Sequence, residues 1–319
     1  MSLTPTQGRT IRALVNLFET GQVLGDYGSV TVIEGDSGHL TFGRSQTTLA
    51  TGNLHKLIEQ YCANVGARFG PRLAAWLPRL EARDLSLDRD AKLHNVLRAT
   101  ADDPVMRETQ DEFFDKKYFD PATAAAARFG VTEPLGVAVV YDSKVHGSWE
   151  RIRDRVPGKP PDRGERAWVR DYVVTRRAWL AGNKRADLRA TVYRMDALAR
   201  LIEQDMWSLE LPLVVRGAEI SAATLAATPR GCYEGPAPGA RALAVEAGRP
   251  LARGLDVRLV QLGLSDNGLD VLADGVFGRR SAEFVAEYQR RRGLPATGIA
   301  DPALIMELVA DVTRPQPPA

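Results

Sequence analysis

Hydrophobic residues recur at helical spacing near the start of the chain. Their i, i+3, i+4, i+7 pattern predicts a helix over 8–19 that buries one face. The residues that carry this pattern are Ile11, Leu14, Val15 and Phe18. Glu19 ends the predicted helix, because a turn-rich segment follows it directly.

The next segment, 27–35, alternates valine with serine and threonine, which is the period of a short strand. A loop rich in Gly, Ser and Thr follows from Asp36 to Asn53. From 54 to 216 the pattern is helical almost throughout. Helices are predicted over 54–66, 89–100, 104–117, 133–145, 164–181 and 188–206. The predicted fold class is therefore α+β and mostly α, with one small β-sheet.

The pattern also divides the chain into domains. Residues 1–217 form the first domain, and residues 218–245, rich in Pro, Gly and Ala without periodicity, are interpreted as a linker. Helical patterning resumes over 246–313 and predicts a compact module of three short helices. Residues 314–319 are predicted to be a tail.

Composition and charge narrow the classes of function. With 42 basic and 40 acidic residues the net charge is +2, so the sequence lacks the basic excess of a dedicated nucleic-acid binder. No apolar run reaches membrane-spanning length, and the segment MSLTPTQGR has no apolar core of a secretion signal. Four histidines without metal-ligand spacing and two cysteines predict neither a metal site nor a disulfide framework. We expect no cofactor.

Two carboxylates flank the predicted strand. Glu19 ends a helix and Asp36 opens a polar loop, so the pair could face each other across a groove. Hydrolysis of a glycosidic bond needs such a pair, one as acid and one as base or nucleophile. Most carboxylates in these positions are solvated caps or turn residues, however, so spacing alone does not assign the pair.

The stretch from Leu14 to Asn53 resembles the glycoside hydrolase family 46 chitosanases, of the lysozyme-like superfamily. That family shows a helix ending in its acid Glu, a short strand, D-G-R-G-Y-T and a later G-T-G-D. This chain has VIEGDSGHLT and ATGN at the corresponding places. The resemblance implies a two-lobed lysozyme-like domain in which Glu19 is the general acid, Asp36 the general base, and Thr41 helps to position the attacking water.

The resemblance continues in order to residue 216. It is carried by YFDPA (118–122), YDSKVHG (141–147), TRRAWL (175–180), TVYRMDAL (191–198) and WSLELPL (207–213). It implies a charged network of Asp142, Arg176 and Arg194 behind the acid, in which the neighbouring Arg177 is an alternative to Arg176. The same constellation could also be a purely structural ion-pair network.

The resemblance further implies two substrate-binding residues, His146 and Asn53. Asn53 stands where the family has the aspartate of G-T-G-D, which reads a sugar's amino group. Gly38 and Leu40 stand where the family has Arg and Tyr. An amide lacks the charge that selects an ammonium group. The substrate therefore stays open between chitosan and a peptidoglycan-type glycan.

Residues 250–301 resemble the three-helix type of peptidoglycan-binding domain. The matching segments are PLARGLDVRLVQLGL, DGVFG (274–278) and EYQRRRGLPATG. This resemblance implies that the C-terminal module targets the chain to a cell-wall polysaccharide, although such modules also bind other partners.

Together these features predict an inverting endo-glycosidase that cleaves β-1,4-linked aminosugar polymers. We expect a monomer that is secreted or acts at the cell wall or in the periplasm, by a route of export that the sequence leaves open. One alternative is a non-catalytic wall-binding protein on a hydrolase scaffold. Another is a secretion-associated protein that docks through its terminal module. The presence of both carboxylates, Thr41 and the charged network favours the enzyme.

Overall fold

The computed structural model describes residues 3–44 and 46–315. In chain order its helices are α1 (Pro5–Thr20), α2 (Asn53–Cys62), α3 (Gly70–Leu73), α4 (Leu77–Glu81), α5 (Ala91–Thr100), α6 (Pro104–Phe114), α7 (Asp120–Phe129), α8 (Pro134–Val145), α9 (Trp149–Arg153), α10 (Pro160–Arg163), α11 (Glu165–Ala181), α12 (Ala186–Arg189), α13 (Tyr193–Glu203), α14 (Ala222–Ala226), α15 (Leu255–Asp266), α16 (Arg279–Arg291) and α17 (Pro302–Val309). Its strands are β1 (Val30–Thr31), β2 (Thr41–Phe42), β3 (Thr47–Thr48), β4 (Leu213–Val215), β5 (Ala218–Ile220), β6 (Ala252–Arg253) and β7 (Val276–Phe277). The fold is mostly α, as the sequence predicts, but its strands form three small sheets where the sequence predicts one.

The chain forms two compact units, and each combines two separate stretches of sequence. The first unit contains the chain up to Gly25 together with 114–227, and the second contains 26–113 together with the chain from Thr228 onward. The segment interpreted as a linker contributes β5 and α14 to the first unit, and its residues from Thr228 onward to the second. Residues 316–319 of the predicted tail lie outside the described residues.

The first unit is built around α8. Nine of its twelve residues are buried, so it is the all-round apolar helix that belongs at the centre of a bundle. It packs against α1, α7 and α11. Helix α1 starts with a capping box between Thr4 and Gln7, and it stops at Gly21, whose φ of 72° is left-handed. Both ends of α1 are thus fixed by local sequence.

The second unit contains the three-stranded antiparallel sheet β1–β2–β3, in which Thr41 pairs with Thr31 and Thr48. Pairing on β1 is confined to Val30–Thr31, which is shorter than the predicted strand over 27–35. The chain turns away soon after, where the amide of Asp36 donates to the carbonyl of Ile33. Helices α2 and α5 cover the sheet side of this unit's core.

Two predicted helices are interrupted. The helix expected over 104–117 leaves the α form at Phe114 and continues as a π turn over Asp115–Phe119. The helix expected over 188–206 is divided into α12 and α13, and between them the hydroxyl of Thr191 donates to the carbonyl of Leu188. A side chain that bonds nearby backbone in this way competes with the helical ladder.

The C-terminal module consists of α15, α16 and α17 with the antiparallel pair β6–β7.

Cys62 and Cys232 are free thiols, and burial raises the pKa of each to about 11. Within 3–44 and 46–315, no helix combines the length and apolar character needed to cross a membrane.

Candidate active site

Glu19 lies in the last turn of α1 in the first unit. Its Oε1 accepts a hydrogen bond of 2.7 Å from Arg194 Nη2, while 43% of its side chain remains exposed. Arg194 Nη2 also lies 3.3 Å from the carbonyl of Phe18, and the hydroxyl of Tyr193 donates to that carbonyl at 2.6 Å. The start of α13 therefore fixes the end of α1 and one oxygen of the carboxylate, and leaves the rest of Glu19 open to solvent.

Asp142 joins the two arginines beneath this contact. Its Oδ1 accepts from Arg194 Nη1 at 2.7 Å and its Oδ2 accepts from Arg176 Nη1 at 2.5 Å. Asp142 and Arg176 are fully buried, and Arg194 is nearly so. The neighbouring Arg177 is half-exposed and pairs instead with Asp196. Arg176 is thus the arginine of this helix that belongs to the network.

The charges of the network support one another. Burial alone would raise the pKa of Asp142, but the guanidinium groups of Arg176 and Arg194 hold it below its usual value. Burial would likewise lower the pKa of Arg194, and the carboxylates of Asp142 and Glu19 raise it instead. Arg194 therefore stays a cation held between a buried carboxylate and Glu19.

His146 follows α8 directly and is half-buried. Burial lowers the pKa of its imidazole, and the nearby guanidinium groups of Arg176 and Arg194 lower it further against the opposing effect of Asp142 and Glu19. Its buried Nδ1 has no hydrogen-bond partner within the described residues. A neutral imidazole beside Glu19 can donate or accept one hydrogen bond to a polar ligand.

Asp36 lies in the second unit, in the exposed loop between β1 and β2. The loop borders a groove of about 670 Å³, lined by residues 32–37, His39, Asp88 and Arg89. The structure assigns the carboxylate of Asp36 no hydrogen bond from another described residue, so both oxygens are open to water. An exposed carboxylate in a groove of this size can activate a water molecule or bind a polar ligand.

Asp88 fixes the shape of this loop, although it lies in none of the sequence motifs. Its Oδ2 lies 2.8 Å from His39 Nδ1 and its Oδ1 accepts from the amide of Leu40 at 2.8 Å. His39 itself has a left-handed φ of 57°, a conformation that histidine tolerates better than most residues. When Nδ1 donates to Asp88, Nε2 is the ring nitrogen left for another partner, and no hydrogen bond from it to a described residue is found. The one signal in the sequence is that His39 stands where the family motif D-G-R-G-Y-T has a glycine, a residue that adopts a positive φ easily.

Thr41 and Asn53 complete the predicted residues of the second unit. Thr41 begins β2, and its hydroxyl donates to the carbonyl of His39 at 3.0 Å. Asn53 is the first residue of α2 and is half-buried, after Gly52 in the left-handed conformation. Its backbone amide donates to Thr51 Oγ1 at 3.4 Å. The hydroxyl oxygen of Thr41 can still accept a hydrogen bond from a water molecule. The Asn53 side chain can contact a ligand.

The structure therefore brings the predicted residues together in two groups. Glu19, Asp142, Arg176, Arg194 and His146 form one cluster in the first unit. Asp36, Thr41 and Asn53 belong to the second unit. Within the described residues, no group of His, Cys, Asp and Glu side chains is arranged to hold a metal ion. The chemistry available in both clusters is that of carboxylates, one of them clamped by a buried cation.

A carboxylate held by arginine at a helix end, and a second one in a loop over a groove, are groups of the kind that acid–base hydrolysis uses. Comparison with known proteins specifies the class: the profile of glycosyl hydrolase family 46 matches residues 13–213, and this chain belongs to that family. It is a glycoside hydrolase. A putative peptidoglycan binding domain matches residues 253–308. Both resemblances seen in the sequence are thereby confirmed.

Individual relatives agree with the family. The chitosanase of Bacillus subtilis (strain 168) is 27% identical over an alignment of 239 residues, and the match covers 68% of this chain and 84% of the relative. The structure of native chitosanase from Bacillus subtilis MY002 superposes with a TM-score of 0.54 at 26% identity, over 67% of this chain and 96% of that chain. The structure of the Gynuella sunshinyii GH46 chitosanase in complex with chitotetraose superposes with a TM-score of 0.54 at 25% identity, over 70% of this chain and 99% of that chain.

Proposed function

We propose that this chain hydrolyses β-1,4-linked aminosugar polymers by an inverting mechanism, with Glu19 as general acid, Asp36 as general base and Thr41 as a residue that orients the attacking water. The observation that carries this proposal is the 2.7 Å contact between Arg194 and Glu19, backed by Asp142. A solvated cap residue needs no such buried cation behind it.

The contact suits an acid that must lose and regain a proton. When Glu19 donates its proton to the glycosidic oxygen, a carboxylate appears beside Arg194, and a charge-assisted hydrogen bond stabilises that carboxylate. Arg176 Nη2 and Arg194 Nε have no partner within the described residues, so the network is not the most stable way to fill this space. This supports a role of the network in holding the acid.

Asp36 meets the other requirement of inversion. The base must remove a proton from a water molecule on the far side of the sugar ring from the acid. Asp36 is exposed beside an open groove, where such a water can reach either oxygen. Asp88 holds the loop in place through His39 and Leu40, so Asp36 is presented by an ordered turn.

Chitosan is the substrate that the relatives favour, because the matching proteins are chitosanases and one was solved with chitotetraose. Asn53 and the peptidoglycan-type module favour an acetylated wall glycan. We propose chitosan-type polymers as the substrate class, and action after secretion, either free or at the cell wall or in the periplasm.

Side-by-side digestion tests the proposal. Chitosan, chitin and purified peptidoglycan are incubated with the protein, and the released fragments are separated by mass; proton NMR reports the anomer that forms first. We expect cleavage of chitosan with the α-anomer first, since inversion at a β-linkage gives it. Asp36→Asn should lower turnover by about 10²–10⁴-fold, because general base catalysis contributes that much. Glu34→Gln, a neutralised carboxylate in the same loop, is the matched control. Absence of cleavage on all three polymers, or equal turnover by Asp36→Asn, would overturn the proposal.

Asn53→Asp tests which substituent the second unit reads. A carboxylate at this position gains a charge-assisted hydrogen bond with the ammonium of glucosamine, which is typically worth about 1.5–3 kcal/mol. We expect the ratio of activity on highly deacetylated chitosan to activity on a partly acetylated polymer to rise about tenfold or more. An unchanged ratio would show that Asn53 only begins α2 and does not contact the sugar's nitrogen.

A further inference from the structure

We propose that the C-terminal module is a fixed part of the catalytic unit that carries Asp36, and that it supports this unit from within instead of serving as a tethered anchor. The proposal goes beyond the assignment of a peptidoglycan-binding module, because it gives the module a positioning role in hydrolysis. It concerns the second unit alone.

Helix α15 supplies the first observation. Every residue from Leu255 to Ser265 is buried, whereas a helix at the surface of an independent module would leave one stripe in water. One side of α15 packs into the module's own core through Val257, Val260 and Leu264. The other side, with Leu255, Leu259 and Leu262, belongs to a core shared with α2 and α5. The same helix therefore completes two hydrophobic cores.

Asn95 on α5 supplies the second observation. It is 2% exposed, and its side chain serves the module with three hydrogen bonds. Nδ2 donates to the carbonyl of Val271 at 2.8 Å and lies 3.3 Å from Ser265 Oγ, and Oδ1 accepts from the amide of Ala273 at 3.0 Å. A polar side chain with this burial would be costly on α5 without these partners.

Buried charges join the same surfaces. Arg72 Nη2 and Nη1 bind the carboxylate of Asp266 at 2.5 and 3.0 Å, and Nη1 also donates to the carbonyl of Val312 at 2.7 Å. Arg258 Nε lies 3.0 Å from Asp102 Oδ2, and the backbone amide of Tyr233 donates to Asp102 Oδ1 at 2.8 Å. Separating the surfaces would leave these buried ions without partners, which is strongly unfavourable.

The path to the candidate base is short. Helix α5, which contacts α15, also contacts β1, and the loop of Asp36 begins after β1. The family match includes α5 and the separate module match includes α15. The two matched regions thus share one core within this unit, and a glycan bound by the module is held in a constant position relative to Asp36.

Hydrogen exchange of the full-length protein, read by mass spectrometry, tests this arrangement. Asn95→Ala leaves a buried amide and a buried carbonyl of the module unpaired, so we expect exchange in α15, α5 and β1 to accelerate together by about tenfold or more. Asn267→Ala is the matched control, since the hydrogen bond found for its side chain among the described residues goes to Gly263 within the module. It should leave exchange in α5 and β1 unchanged. In Asn95→Ala, we expect kcat to fall by the same factor on a soluble chitosan tetramer as on the polymer.

Two results would overturn the proposal. Faster exchange in α15 alone, with α5 and β1 as in the wild type, would show that the module opens independently. Full kcat on the tetramer with a loss confined to the KM for polymer would show that the module acts as an anchor. The exchange experiment needs no glycan, so its outcome does not depend on whether the proposed substrate is correct.

Discussion

Glu19→Gln is expected to reduce hydrolysis of the preferred polymer by about 10²–10⁴-fold, which is what a positioned general acid contributes. Glutamine is nearly isosteric and can still accept a hydrogen bond from Arg194 through its amide oxygen, so the fold should be retained. What it cannot do is give a proton to the leaving oxygen. Initial rates of fragment release measure the loss, and thermal unfolding checks that the protein is intact.

Glu203→Gln is the matched control for this change. Glu203 also ends a helix of the first unit and is exposed, but no ion pair involving it is found in the described part of the chain. Its substitution should leave the rate within a factor of about two, as for an ordinary surface position. A Glu19→Gln protein with the turnover of the wild type would remove Glu19 from the role of acid and leave its pair with Arg194 as a structural contact.

The sequence predicted those parts of the protein that local periodicity or family motifs encode. The helix that ends near Glu19, the small sheet and the helical character of the remainder follow from spacing along the chain. The grouping of Asp142, Arg176 and Arg194 followed from resemblance, and the choice between Arg176 and Arg177 needed the structure. Both are arginines on one helix, and only the packing of α8 and α13 decides which one is buried.

Contacts between distant stretches could not be predicted in this way. Asp88 binds Leu40 and His39, which lie 48 and 49 residues earlier in the chain. No spacing pattern in the sequence predicts these contacts. The shared core of α5 and α15 joins residues more than 150 positions apart. Leu255 and Leu259 are apolar in any case, so their pattern does not distinguish a module core from a surface that packs against another region. The Pro- and Gly-rich segment before α15 suggests a linker by composition, and composition carries no information on the residues that it contacts.

Arg194→Ala is expected to lower both stability and activity, and to do so far more than Arg177→Ala. Arg194 is 3% exposed and is bound to Asp142, which has no exposure at all. Its removal takes one of two cations from a buried carboxylate and leaves Arg176 as the arginine that binds it. Breaking a buried pair in this way costs about 3–5 kcal/mol of the free energy of unfolding. The pair of Arg177 with Asp196 is half-exposed and, as for other surface ion pairs, should contribute no more than about 1 kcal/mol.

Activity separates a supporting role of Arg194 from a merely structural one. Without its guanidinium, Oε1 of Glu19 loses the bond that fixes its position, and a displacement of about 1 Å at a catalytic group can cost about 10²-fold in rate. The loss should appear in kcat at a temperature where the variant is still folded, while the KM for the polymer changes little. Arg194→Lys keeps the charge but not the two-pronged geometry, since an ammonium group cannot reach Asp142 and Glu19 in the same fork. It should therefore recover part of the stability and little of the rate. If Arg194→Lys restored kcat in full, charge alone would suffice, and the geometry of the Asp142–Arg194–Glu19 contact would not matter for the acid. If Arg194→Ala matched Arg177→Ala in both stability and kcat, the network would have no part in holding Glu19.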